Sequence, residues 1–154
     1  MQITDLIHLL YLIGYFLIAG QGVFYLLCFA RVFNQIPGKD FINIRKLADP
    51  ILDSRLSLLY YSCLASGTIS MVFVLSEGDP LAISFIPVSF LLLLADVILA
   101  KKFNIPLNTK IRGITRPTDR EAYELQSEWL RWIRIRAIIV IAGFLLLLVY
   151  TSLK

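Results

Sequence analysis

The chain has 154 residues, of which 58% are hydrophobic and 17% charged, with a formal net charge of +4. Its mean hydropathy of +0.75 lies well above that of a water-soluble domain and places it among membrane proteins, built as one domain over residues 1–154. The basic balance does not indicate nucleic acid, because membrane-protein loops on the cytosolic side are basic by default and no recognition module is present.

Four apolar runs are each long enough to cross a bilayer, which takes about 20 residues of helix. They lie at roughly 3–30, 50–75, 81–100 and 135–153. Helices are the expected form, since open strands would leave backbone groups unpaired in lipid. The predicted architecture is therefore all-α: a membrane-embedded four-helix bundle.

The first run carries Asp5 where a secretory signal would carry a basic region, and its apolar stretch is too long for one, so it is read as the first helix. His8, Tyr11 and Tyr15 share one face near its start, and Gln21, Tyr25 and Cys28 form an adjoining face. His8 is the only histidine and no carboxylate cluster accompanies it, so a conventional metal site is poorly supported, and His8 is read as an interfacial polar residue. Cys28 and Cys63 are the only cysteines. Both lie in apolar helices and are read as small core residues.

In the first loop, Phe41, Ile44, Leu47 and Ala48 recur at helical spacing among Lys39, Arg45 and Lys46, which predicts a short amphipathic helix on the membrane surface. Asp49-Pro50 reads as an N-cap followed by a first helical position, so the second membrane helix is expected to begin there. Within it, Ser62, Ser66 and Ser70 recur every four residues beside Gly67. That pattern fits close helix contact, with a hydroxyl-lined path as the alternative.

The third run contains Asp96 and ends in "KKFNIPLNTK". Pro106 cannot donate a helical hydrogen bond and biases Ile105 away from helix, so this helix is expected to stop near Asn104. Thr118 and Glu121 form a capping box, and no breaker follows until Gly143, so the fourth helix is expected to run from about 119 to 153 and to project beyond the bilayer. Trp129 and Trp132 are read as interfacial anchors.

Lysine and arginine are concentrated in two loops. The first holds Arg31, Lys39, Arg45, Lys46 and Arg55. The third loop and the start of the fourth helix hold Lys101, Lys102, Lys110, Arg112, Arg116, Arg120, Arg131, Arg134 and Arg136. The second loop has none and the termini offer only Lys154. The positive-inside rule then puts both basic loops in the cytosol and both termini outside, with a bacterial plasma membrane as the default location.

Charged groups within a bilayer are costly, and those that occur mark sites or buried pairs. Asp96, Arg136 and Arg55 all belong near the cytosolic end, and Asn104 follows Asp96 on the same face if the helix continues. Two readings stand side by side. One is a polar cavity lined by Asp96, Asn104, Asn108, Arg55 and Arg136. The other is ion pairing and snorkelling that only locks the helices together.

Three stretches resemble a known family. "NIPLN" (Asn104 to Asn108) is similar to its Asn-x-Pro-x-Asn after the third helix. "WLRWIRIR" (Trp129 to Arg136) resembles its tryptophan-rich start of the fourth helix, with a terminal arginine. "ARVFNQIPGKDFINIRKLADPIL" resembles its first loop. The family is the DUF1772 group of four-helix integral membrane proteins, which includes the anthrone oxygenases. The resemblance implies oxygen-dependent oxidation of a flat aromatic anthrone without a cofactor, with Asn104, Asn108, Trp132 and Arg136 as site residues. The chain departs from that pattern at Ile133 and Arg134, where many members carry an asparagine or histidine.

The expectation that results is a membrane protein that binds a lipophilic, aromatic or quinone-like small molecule, with an oxidoreductase activity as its sharper form. In that form Asp96 and Arg136 would be catalytic, and Asn104, Asn108, Trp132 and Arg55 would bind substrate, with no metal and no cofactor. Its partners would be membrane lipids, the ligand and, as an option, further copies of itself, but not nucleic acid. The alternatives are a non-enzymatic scaffold or subunit, whose polar cluster is structural, and a transporter or channel formed by an oligomer. A cavity between Asp96, Asn104 and Arg136 would favour the first reading, and direct ion pairs without a cavity the scaffold.

Overall fold

A computed structural model describes residues 3–153, so Lys154 lies outside the described residues. The described residues form four helices: α1 (Ile3–Phe33), α2 (Gly38–Glu77), α3 (Pro80–Gly113) and α4 (Asp119–Leu153). Each is long and apolar enough to cross a membrane, and there is no strand among the described residues. The result is the expected all-α four-helix bundle. α1 packs against α2 and α4, and α3 against α4 and α2. Large apolar side chains such as Leu17, Leu58, Leu91, Ile98, Ile138 and Leu145 remain exposed on its outer surface.

The turns are set by local chemistry. Gly78 closes α2 with a left-handed φ of 72°, which glycine adopts without a Cβ penalty, and its N–H donates to the Val74 carbonyl at 3.1 Å. Asp79 then caps α3 by accepting from the Leu81 N–H at 3.0 Å, with Pro80 in the first turn. Thr118 Oγ1 accepts from the Glu121 N–H at 3.2 Å, as the capping-box reading requires. α4 runs unbroken from Asp119 to Leu153.

Two helix boundaries differ from those expected. α2 does not begin at Asp49-Pro50. It is one 40-residue helix from Gly38, with Pro50 inside it, and the amphipathic piece is its first part. Asp49 is not a cap: its carboxylate is buried in an ion pair with Arg45, one turn earlier. Phe41 and Ile42 face the core, while Ile44 and Leu47 are exposed. α3 does not stop near Asn104 either. A π-turn over Ala100–Asn104 carries it on into Ile105–Gly113. A π-turn shifts the hydrogen-bond register by one residue. Pro106, which has no N–H to give, falls at the changeover back to α-helix. A second π-turn, Tyr25–Phe29, lies in α1.

Two hydrophobic cores stack along the bundle. The one far from the basic loops contains Tyr11, Tyr15, Cys63, Phe90, Leu93, Leu147 and Tyr150. Tyr11 shares a hydrogen bond with Ser89 Oγ (3.2 Å), and Tyr15 donates to the Ser89 carbonyl (3.0 Å). Gly67 admits the Tyr11 ring: a Cβ there would lie 2.7 Å from Cε2. Gly67 and Ser70 are buried, whereas Ser62 is exposed and donates to the Leu58 carbonyl, so the serine row enters the helix contact only at its Ser70 end. The core at the basic end is aromatic. Trp129 is 1% exposed and meets Tyr25, Phe33 and Phe41 at ring-centroid distances of 6.0, 5.8 and 5.5 Å. It is a core residue and not the interfacial anchor expected. Gln126 ties the first loop down by donating to the Phe33 and Ile36 carbonyls.

Candidate functional site: a polar-floored cavity between the two cores

Between the two cores lies a cavity of about 300 Å³ to which all four helices contribute. Its apolar wall includes Ile18, Leu52, Leu56, Leu64, Val97 and Val140. Its polar side holds Gln21, Arg45, Tyr60, Asp96, Asn104, Asn108 and Arg136. The exposed members of the lining are Asp53, Ser57 and Tyr61 on α2 with Lys101 and Ile105 on α3, so the cavity opens sideways between those two helices. The mouth sits where the apolar part of each helix gives way to charged sequence.

Arg136 organises the polar side. Its Nε donates to Asp96 Oδ1 at 2.6 Å and its Nη2 to Oδ2 at 3.2 Å, a two-point pair. The guanidinium also donates to Asn104 Oδ1 at 3.3 Å and to the Tyr60 hydroxyl oxygen at 3.4 Å. Three groups from α2 and α3 thus meet on one arginine of α4. The π-turn helps to make this possible. Eight residues of regular α-helix overshoot two full turns by about 80°. The wider turn at Ala100–Asn104 absorbs part of that excess and brings Asn104 to the same arginine as Asp96.

A second polar group lies deeper toward the basic loops. Arg45 pairs with Asp49, and its guanidinium lies over the Trp129 ring at 4.4 Å. Trp129 Nε1 donates to Asn108 Oδ1 at 3.0 Å. Several buried atoms of the lining have no hydrogen-bond partner: Arg45 Nε and Nη1, Asn104 Nδ2 and Gln21 Oε1. Outside the mouth, Arg112 of α3 donates to Asp53 of α2 at 2.8 Å and bridges the two helices.

Of the residues singled out from sequence, Asp96, Asn104, Asn108 and Arg136 come together on this cavity. Arg55 and Trp132 do not. Arg55 is exposed on the outer face of α2. Trp132 stacks on Phe103 at 3.6 Å with an interplanar angle of 8°, in a shallow groove with Tyr123, Glu124 and Arg131. In each case the side chain points away because helical phase, not sequence position, decides the facing. Sequence reasoning missed Arg45, Tyr60 and Lys101. Arg45 and Asp49 are an i, i+4 pair, but the Asp-Pro dipeptide signalled a helix start more strongly. No group of three or more His, Cys, Asp or Glu side chains is placed to hold a metal among the described residues.

The chemistry available is that of binding and charge stabilisation. Both Asp96 oxygens accept from Arg136, so this carboxylate is committed to the arginine. Arg136, Asn104 and Tyr60 form a fixed set of polar groups beside an apolar chamber. Comparison of the chain with protein-family models, with curated proteins and with solved structures returned no match.

Proposed function

We propose that the chain is an integral membrane protein that binds a lipophilic small molecule in the cavity between α2 and α3. The observation that carries this reading is the cavity itself: an apolar chamber of about 300 Å³ with buried polar groups at one side and a lateral mouth. Ligand sites combine an apolar wall with a few convergent polar groups in this way. The exposed apolar belt supports contact with membrane lipids.

The sharper form, an oxidoreductase related to the anthrone oxygenases of the DUF1772 family, draws support from Asn104, Asn108 and Arg136, which line the same chamber. Trp132, the fourth residue implied by that resemblance, lies outside it. The engagement of both Asp96 oxygens favours binding and oxyanion stabilisation over a role for Asp96 as a proton acceptor. A scaffold reading is favoured by a different observation, the direct Asp96–Arg136–Asn104–Tyr60 network that ties α2, α3 and α4 together.

Fluorescence separates the two. In a Trp132→Phe background, Trp129 is the only tryptophan and it lines the cavity. Menadione, a neutral naphthoquinone, is expected to quench it saturably in detergent. Ala100→Phe, which fills the chamber from α3, is expected to abolish the saturable part while helicity is retained. Quenching that rises linearly and equally in both proteins would favour the scaffold.

A further inference from the structure

Three features of the cavity specify more than a lipophile. First, Asn104 is 3% exposed and its Oδ1 is taken by Arg136, yet its Nδ2 has no partner. Second, Arg45 is 4% exposed and is fixed between Asp49 and the Trp129 ring, yet its Nε and Nη1 have no partner. Both are donors, and buried donors are normally satisfied. Third, the charges around the chamber are not balanced. Arg45, Arg136 and Arg112 each have a carboxylate, in Asp49, Asp96 and Asp53 respectively. Lys101, at the mouth, has none among the described residues.

We infer that the preferred occupant is a singly charged acidic lipophile whose head is a carboxylate or an ionised acidic hydroxyl, seated among Asn104, Arg45 and Lys101 with its apolar body against Ile18, Leu56, Val97 and Val140. This rests on the lipophile-binding reading above and narrows it to one class of head group. An anionic oxygen supplies acceptors for the orphaned donors, and its charge is the one that Lys101 lacks. A neutral carbonyl satisfies the donors and leaves the lysine unbalanced. A cationic lipophile brings no acceptor for the orphaned donors and adds to the charge of the unpaired lysine. The mouth between α2 and α3, at the edge of the apolar zone, lets such a molecule move in from the bilayer, where acidic lipophiles lie with the head at the interface and the body in hydrocarbon.

The test uses the full chain carrying Trp132→Phe, in an uncharged detergent at pH 8, with Trp129 quenching as the readout. Two acidic probes are each compared with a neutral partner: 2-bromododecanoic acid, whose bromine sits beside the head and so near Trp129, with its methyl ester, and 2-hydroxy-1,4-naphthoquinone with its methyl ether. At least one acid is expected to bind at least about tenfold more tightly than its partner, the size of one charge-assisted contact. Which pair shows the preference identifies an aliphatic carboxylate or an acidic quinone as the source. Lys101→Gln is expected to remove the preference and Lys101→Arg to retain it, while Asn104→Leu weakens binding of the acid. Equal affinity for acid and neutral partner, or a preference that Lys101→Gln leaves intact, overturns the inference and leaves lipophile binding standing. Absence of saturable quenching by every probe, menadione included, overturns both.

Discussion

Asp96 illustrates how a single residue can be read from cost alone. A carboxylate in the middle of "LLLLADVILA" must protonate, find water or find a partner. It finds Arg136: the carboxylate is fully buried and the arginine side chain is 14% exposed. Removing one member of a buried pair leaves an uncompensated charge and costs about 3–5 kcal/mol, whereas removing both costs less than the sum. Asp96→Asn is therefore expected to lower the melting temperature sharply in the wild-type background and much less after Arg136→Gln. Strictly additive losses in melts of the two singles and the double, at one pH and in one detergent, would show that the two side chains are not coupled. The same cost argument marks Arg136, whereas Asn104 is marked by its spacing from Asp96 and, with Asn108, by the Asn-x-Pro-x-Asn stretch. It could not separate Arg136, whose guanidinium reaches inward, from Arg55, whose side chain faces out. Both are arginines near the same membrane boundary, and only the helical phase distinguishes them. Tyr60 and Lys101 carried no signal of their own, since a tyrosine or a lysine at a boundary is ordinary.

At the scale of elements, the strongest sequence signals gave the number and type of helices, and the local punctuation misplaced two of their ends. Asp49-Pro50 and Ile105-Pro106 both look like boundaries, and both lie inside continuous helices. Each is overridden by tertiary contacts. At the first, Arg45 and Asp49 are buried against the Trp129 cluster. At the second, the π-turn accommodates the proline and keeps Leu107, Asn108 and Ile111 in the core. Such overrides are invisible to a propensity argument because the contacts come from other helices. Gly143 tests the tightness of the α1–α4 contact. A Cβ at this position would lie 1.8 Å from the Tyr15 hydroxyl, so the ring must move if one is added. Overpacking of this kind costs about 1–3 kcal/mol. Gly143→Ala is expected to lower the melting temperature. Tyr15→Phe is expected to restore part of the loss in that background, although alone it forfeits the hydrogen bond to the Ser89 carbonyl. A Gly143→Ala protein that melts with the wild type would mean that the two helices lie farther apart than this.

At the scale of the whole molecule, charge and cavity share one end. The loops at 34–37 and 114–118 and the helix ends beside them carry Lys39, Lys46, Lys110, Arg112, Arg116 and Arg120, while the turn at the other end carries Glu77 and Asp79. Several of the basic groups are paired, among them Lys39 with Asp119 and Arg120 with Glu124. Pairing does not cancel the topological signal, because membrane orientation follows the count of lysine and arginine and not net charge. The basic end is therefore expected on the cytosolic side, which places the mouth between α2 and α3 at the level of the inner leaflet. Single cysteines report on this with little disturbance. Glu77 and Thr115 are both exposed, and Cys63 is buried, so a Cys28→Ala background leaves no competing accessible thiol among the described residues. Glu77→Cys is expected to react with a membrane-impermeant maleimide on intact cells, and Thr115→Cys only after permeabilisation. The reverse pattern would invert the protein in its membrane and place the cavity mouth in the outer leaflet, so that any lipophile it binds would be drawn from the opposite monolayer.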